Sequence, residues 1–384
     1  MARKISLRVR SEFGYGRPHQ FYMTVSSTAK GARAPDPQAI IGCLLGTAVG
    51  DAVGLPLEAL SKRRQERLFP EVTGPNLFFG RGMLSDDTEH TCMVAQALIV
   101  SGGEPQRFIQ SLAWRLRCWL LGLPAGVGLA TLRAAVKLWV GFSPDHSGVF
   151  SAGNGPAMRS AILGVCYGDQ IDKLRALTHA STCLTHVDPR AEHGALAVAL
   201  AAWFAAKGNC DPCGYCRELQ KLLGNDGSEL INSLFNAADS ANRGERTDEF
   251  AVALGLANGV SGYVNHTVPV ALHTWFRYSN DYRAAVLAAI RCGGDTDTVA
   301  AIAGGIVGAG VGRSGIPQEW LNALCDWPRT VTWIEKLGQR LAEMCFDETP
   351  RGALGLPFYG VLLRNAFFIA VVLVHGLRRL LPPY

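Results

Sequence analysis

Two short segments carry residue types suited to metal or acid–base chemistry. Residues 293–298 read GGDTDT and run into VAAIAGGIVGAGVG, a stretch of small apolar residues. Residues 82–91 read GMLSDDTEHT, so Ser85, Asp86, Asp87 and Thr88 directly precede another apolar-periodic stretch. Each acidic group therefore sits at the expected start of a helix, where free N–H groups and the positive end of the helix dipole favour anions. One cap needs one acidic residue, yet Asp295 and Asp297 are two, separated by a single residue so that both can turn toward one point. Carboxylates and threonine hydroxyls are hard oxygen donors of the kind that suits Mg²⁺ or Mn²⁺. Two such clusters facing each other can hold two cations about 3.5–4 Å apart.

For the Ser85–Asp87 segment a capping role stays open. Ser85 or Asp86 can accept helix N–H groups, and Asp86 and Glu89 have capping-box spacing. A third segment, GTAVGDAVGLPLE (46–58), contains Asp51 and Glu58. Taken alone it reads as a helix ending near Gly54, followed by an ordinary surface glutamate.

The elements that must position these groups are helical. AIIGCLLGTAVGDAVG, FIQSLAWRLRCWLL, AEHGALAVALAAWFAAK, SELINSLFNAADSA and the stretch after Asp297 all show apolar residues at three- and four-residue spacing. Strand-like alternation is confined to the first residues, so the expected fold class is all-α, one multi-helix domain. Small residues such as Ala300, Gly304, Gly305 and Gly308 allow the last of these helices to approach its neighbours closely. The expected organisation is a basic arm and linker over 1–37, a helical domain over 38–349 and a hydrophobic tail over 350–384.

Composition narrows the function classes. The 384-residue chain is 48% hydrophobic and 18% charged, a globular and not a disordered balance. Its net charge of +5 is uneven, because residues 1–35 hold seven basic residues against Glu12, leaving about −1 for the rest. That distribution argues against a nucleic-acid-binding body and for an arm that meets an acidic partner. Eleven cysteines scattered through apolar stretches read as reduced thiols, and RKISLRVRSEF lacks the apolar core of a signal peptide, so the expected location is the cytoplasm. In the tail, the uninterrupted apolar run from Ala366 to Val374 falls short of the roughly 20 residues of a membrane span. Arg364 and His375 flank it, and a packed or interfacial helix is expected instead of a crossing.

Taken in order, GTAVGDAVGLPLE, SDDTEHT (85–91), SAGNGPAMR (151–159), THVDPRA (185–191), GYVNHTVPVAL (262–272) and RCGGDTDTVAAIAGGIVGA (291–309) resemble the motifs of the ADP-ribosylglycohydrolases. The resemblance covers about residues 38–345. It implies an all-α domain with two Mg²⁺ or Mn²⁺ ions in a central cleft, cleaving the glycosidic bond between ADP-ribose and its target. It makes Ser85, Asp86, Asp87, Asp295, Asp297 and Thr298 the implied metal ligands, with Ser85 standing where many members carry threonine. It aligns Ser151, Gly153 and Asn154 with phosphate and ribose contacts, and His186 with the histidine near the substrate ribose. Asp86 or Asp87 is the implied acid or base, with Glu58 as runner-up.

Other segments invite chemistry less well. CDPCGYC (210–216) has thiols every third residue but lacks a fourth ligand at zinc or iron–sulfur spacing, and reads as a loop of reduced cysteines. His179, His193, His266 and His273 have no partners at convincing spacing and read as core or surface histidines. Two functions are therefore expected for comparison. One is a hydrolase acting on ADP-ribosylated protein, most naturally at arginine. The other is an immunity protein whose residues 1–35 block an ADP-ribosyltransferase toxin by adding a strand to its sheet.

Overall fold

The computed structural model describes residues 34–378, so nearly all of the basic arm, and the strand expected of it, lie outside the described residues. The helices are α1 (Pro37–Gly54), α2 (Lys62–Leu68), α3 (Asp86–Ser101), α4 (Pro105–Leu121), α5 (Leu129–Trp139), α6 (Gly155–Met158), α7 (Ala161–Tyr167), α8 (Ile171–Cys183) and α9 (Pro189–Ala206). They continue with α10 (Pro212–Leu223), α11 (Ser228–Asn242), α12 (Thr247–Ala253), α13 (Val264–Tyr278), α14 (Tyr282–Ile290), α15 (Thr296–Val311), α16 (Gln318–Ala323), α17 (Val331–Asp347) and α18 (Phe358–Arg378). Among the described residues β pairing is confined to isolated bridges, so the fold is all-α.

A helix apolar on every side has to be surrounded by protein. α1 and α15 are of that kind, with Ala39–Gly54 and Thr296–Ala309 buried throughout. α1 is launched by Asp36, whose side chain accepts the Gln38 N–H at 2.9 Å, with Pro37 in the first turn. The two helices run antiparallel with their backbones in contact. A Cβ added to Gly42, Gly46 or Gly50 would lie 2.1, 2.2 or 2.1 Å from the carbonyl oxygens of Gly308, Gly304 and Ala300. Glycine every fourth residue keeps one ridge of α1 bare, and the facing ridge of α15 fills the groove. The seam ends where Thr296 Oγ1 donates to the Gly54 carbonyl at 2.9 Å, which presses the last turn of α1 against the first turn of α15.

α3 begins beside that junction. Ser85 is its N-cap and its hydroxyl accepts the Asp87 N–H at 3.3 Å, while Gly102, at φ 63°, takes the left-handed turn that ends the helix. Of the capping roles left open, Ser85 takes the cap, and no capping box joins Asp86 to Glu89, because Asp86 is already the first helical residue and Glu89 binds elsewhere. Single-residue bridges tie the connecting loops together: Val149 to His186, Gly153 to Tyr263, and Val260 to Gly294.

α1 and α18 each have the length and apolarity to cross a bilayer. α1 lies wholly inside the core, whereas α18 buries one face, including Val361, Arg364, Asn365, Phe368 and Val371, against the body. Its other face, with Leu363, Leu373 and Leu377 each more than 60% exposed, is open.

Replacing Gly46 by Ala is expected to cost about 1–3 kcal/mol, since the new methyl meets the α15 backbone at Gly304 and Gly308. Gly352→Ala, where a Cβ meets nothing within 4 Å, is expected to stay within about 0.5 kcal/mol of the parent. Thermal melts of the two variants check this, and equal melting temperatures would contradict the seam.

Candidate active site and metal centre

The antiparallel seam brings Asp51, from the end of α1, to Asp297, in the first turn of α15, and α3 adds Asp87. All three are buried, and oxygens from each lie within 4.8 Å of one another. Asp51 stands apart from the other two in its bonding. Its carboxylate accepts the Ser85 N–H at 3.1 and 2.9 Å, the Thr88 N–H at 3.3 Å, and the Thr88 hydroxyl. It therefore holds the first turn of α3 in place. Reading Asp51 as part of an ordinary helix end is corrected here: only the packing of three helices reveals that this position faces other carboxylates.

Asp87 is bonded on one side only. Its Oδ2 accepts hydroxyls from both motifs, Ser85 Oγ at 3.1 Å and Thr298 Oγ1 at 3.2 Å. Its Oδ1 is buried with no hydrogen-bond partner. Buried carboxylate oxygens rarely stay unpaired, because desolvation without a partner costs several kcal/mol. Asp297 keeps its carboxylate against its own turn, accepting the Thr298 N–H at 3.0 Å. Asp295 is half-buried and receives Asn154 Nδ2 at 2.7 Å on Oδ2. Asp86 is half-buried beside them. The structure thus brings Ser85, Asp87, Asp297 and Thr298 together directly, joins Asp295 to Asn154, and sets Asp86 next to them.

Electrostatics describe the same pocket. Burial pushes Asp51 up to about 6 against the pull of its hydrogen bonds. Burial first, and then the charges of Asp86, Asp51 and Asp295, push Asp87 well above the ordinary carboxylate range. Asp297 is raised by burial and by Glu58, Asp87, Asp295 and Asp51, and Asp86 by burial and by Asp51, Glu89 and Glu58. Among the described residues none of Asp51, Asp86, Asp87, Asp295 and Asp297 pairs with a Lys, Arg or His. Crowded acids, hydroxyl donors and an orphaned carboxylate oxygen fit a divalent cation with hard-oxygen preference.

One wall is built from the 151–155 loop. Asn154 Nδ2 also reaches Thr267 Oγ1 at 3.0 Å, and its own N–H donates to the Gly262 carbonyl at 3.0 Å. Ser151 Oγ accepts the Gly153 N–H at 3.3 Å. Gly153 and Gly155 lie against His186: a Cβ on either would fall 3.0 or 3.1 Å from the imidazole ring. Glu58 is exposed just past the end of α1, and the neighbouring Ala59 N–H donates to the Gly294 carbonyl at 2.9 Å.

His186 is 3% exposed and its pKa is lowered to about 3 by burial and by the nearby Arg159 guanidinium, so it is neutral near pH 7. Arg159 is fully buried and donates to Ser181 Oγ, the Ser181 carbonyl and Thr185 Oγ1 at 3.1, 2.7 and 2.7 Å. Because Thr185 Oγ1 accepts from Arg159, its own hydrogen is free for His186 Nδ1, 2.9 Å away. With Nδ1 turned to Thr185, Nε2 is the ring nitrogen that faces Gly153. Of the remaining histidines, His273 is buried between Ser240 and Thr247, and His179 pairs with Glu192 at 2.9 Å. Cys210, Cys213 and Cys216 are free thiols.

The ADP-ribosylglycohydrolase family model matches residues 33–351. An uncharacterized protein of Archaeoglobus fulgidus is 31% identical over 79% of this chain and 95% of its own. The ADP-ribosyl-[dinitrogen reductase] glycohydrolase of Rhodospirillum rubrum is 26% identical over 74% of this chain and 89% of its own. The ADP-ribosylarginine hydrolase Tri1 of Pseudomonas putida is 27% identical over 81% and 78%. Among solved structures, an ADP-ribosylglycohydrolase-related protein complex matches with a TM-score of 0.61 and 27% identity, covering 80% of this chain and 98% of that one.

The raised pKa of Asp297 gives a sign for pH dependence. Its folded-state pKa lies above the unfolded value of about 4, so the penalty is absent below pH 4 and grows as the pH rises through the folded pKa. In chelator, Asp297→Asn is expected to melt higher than the parent at pH 8, with the gap narrowing toward pH 5. With saturating Mn²⁺ the order is expected to reverse. A gap that ignores both pH and cation would contradict the buried acid cluster.

Proposed function

The chain belongs to the ADP-ribosylglycohydrolase family, and from that premise we propose that it removes ADP-ribose from modified protein side chains, arginine first, with two bound Mg²⁺ or Mn²⁺ ions. The observation that carries the reading is the unpaired, buried Asp87 Oδ1 among Ser85, Asp297 and Thr298. The arginine linkage is supported by the name of the Pseudomonas putida relative.

In this reading Ser85, Asp86, Asp87, Asp295, Asp297 and Thr298 hold the ions. When bound, such ions orient sugar hydroxyls, acidify water and stabilise developing negative charge. The chain's own groups supply the rest. Asn154 fixes Asp295 through the 2.7 Å bond, so the ligand face of that carboxylate is preset. Asp51 holds the α3 turn against recoil when the acids change charge. Neutral His186, with Nδ1 turned to Thr185, presents Nε2 to a ribose or phosphate oxygen, and the glycines at 153 and 155 let that oxygen approach. Asp86, half-buried at the start of α3, is the carboxylate we assign to give a proton to the departing side chain and to take one from the incoming water. Asp87 is committed to holding its two hydroxyls and a cation. Glu58, exposed at the mouth, adds negative charge that attracts a guanidinium leaving group. The eleven free cysteines suit a reducing cytoplasm.

Release assays with ADP-ribosyl-arginine and ADP-ribosyl-serine peptides test the proposal. Free ADP-ribose is expected from the arginine substrate with Mg²⁺ or Mn²⁺ and none with chelator, and Asp86→Asn is expected to lower kcat by about 10²-fold or more with a smaller change in KM. No release from either substrate would sink the hydrolase reading, and release from serine alone would correct the linkage.

The net +6 of residues 1–35 favours a second role, that of an arm blocking an ADP-ribosyltransferase toxin. Deleting 1–35 is then expected to abolish toxin binding while hydrolysis persists. Unchanged binding removes the arm from the account.

A further inference from the structure

The family match ends at residue 351, yet α18, which follows it, reaches the back of the acidic turn. Arg364 is 6% exposed in a helix otherwise almost wholly apolar. It donates to Asp326 Oδ2 from Nε at 2.9 Å and from Nη2 at 2.6 Å, and to Glu89 Oε1 from Nη1 at 3.4 Å. Its Nη2 also donates to the Leu84 carbonyl, while Asp326 Oδ2 accepts the Leu84 N–H at 3.1 Å. Both backbone groups of the residue before Ser85 are therefore held by one arginine–aspartate pair. Glu89, two residues beyond Asp87, is gripped in turn by Arg329 Nη1 at 2.7 Å and by Trp119 Nε1.

Two guanidiniums and two carboxylates balance in charge, which is what a buried ionic cluster needs. Their placement is specific to the Leu84–Glu89 turn: the cluster holds it from outside at both ends, as Asp51 holds it from within. We propose that Arg364 is a positioning residue and that α18 clamps the Ser85–Asp87 turn in the geometry that accepts divalent cations. This rests on the reading of that turn as a cation site. The clamp makes cation affinity depend on a helix whose described hydrogen bonds go to none of the expected ligands.

The test uses the full chain and Mn²⁺ alone, with free Mn²⁺ counted by electron paramagnetic resonance and melting measured in chelator. The double variant Asp326→Asn/Arg364→Gln removes the pair without leaving an unbalanced charge, and Arg364→Lys keeps the charge but not the forked contacts. Each is expected to weaken Mn²⁺ binding about 10-fold or more and to lower kcat. Val371→Ala, which loosens α18 packing around Leu55 and Met83 but removes none of the cluster's hydrogen bonds, is expected to lower the melting temperature while keeping Mn²⁺ affinity within about twofold. If the parent binds Mn²⁺ and both Arg364 variants match it within twofold, the clamp is overturned. It is also overturned if Val371→Ala weakens binding as much as they do, since α18 would then act through general stability. A parent that binds no Mn²⁺ overturns the cation site and the clamp with it, an outcome set apart by the parent alone.

Discussion

The backbone contact between α1 and α15 is the constraint on which the rest of the molecule depends. Side chains ordinarily hold helices 8–10 Å apart, but the glycines at 42, 46 and 50 remove them and let carbonyl groups meet backbone. Because the two helices are antiparallel, the contact fixes which ends coincide: the last turn of α1 and the first of α15. Asp51 and Asp297 are neighbours for that reason, and α3 can begin nowhere else without leaving Asp51 unbonded. The arrangement is rigid because the contact has no side-chain freedom to lose or redistribute.

Two kinds of buried charge then lie on opposite sides of one helical turn. On the outer side, Glu89 and Asp326 are matched by Arg329 and Arg364, so the turn is anchored by a neutral cluster. On the inner side, Asp51, Asp87 and Asp297 meet with no basic partner among the described residues. Leaving acids unmatched in a well-packed interior costs stability unless something cationic arrives. The asymmetry separates support from function: the paired side keeps the turn still, and the unpaired side is free to recruit a ligand. Neutral His186, held through Thr185 and Arg159, adds a polar group whose charge does not compete with cations for the acids.

Much of this was legible in the residues. Doubled acids at a helix start, with hydroxyls beside them, exceed what capping requires, which is why Asp87 and Asp297 stand out before any coordinates. Asp51 does not, since one acid near a helix end has an ordinary explanation; the four-residue spacing of Gly42, Gly46, Gly50 and Gly54 was the available signal, and it acquires meaning only against a second small-residue helix. Glu89 was masked by capping-box spacing. Its partner Arg364 was read only as a flank of the apolar run, although an arginine within an apolar helix that packs has to find a carboxylate. The 151–155 loop, Thr185–His186 and Tyr263 are joined by bridges one residue long, which leave no periodic trace, and so their meeting could be seen only in three dimensions.

Anomalous diffraction from crystals grown in manganese addresses the central claim most directly. The account expects two peaks between the first turns of α3 and α15, one of them within about 2.0–2.3 Å of the free oxygen of Asp87, and expects both to vanish in Asp87→Ala. A pocket empty of manganese at saturating concentration, with Asp87 Oδ1 satisfied by a protein donor instead, would contradict it.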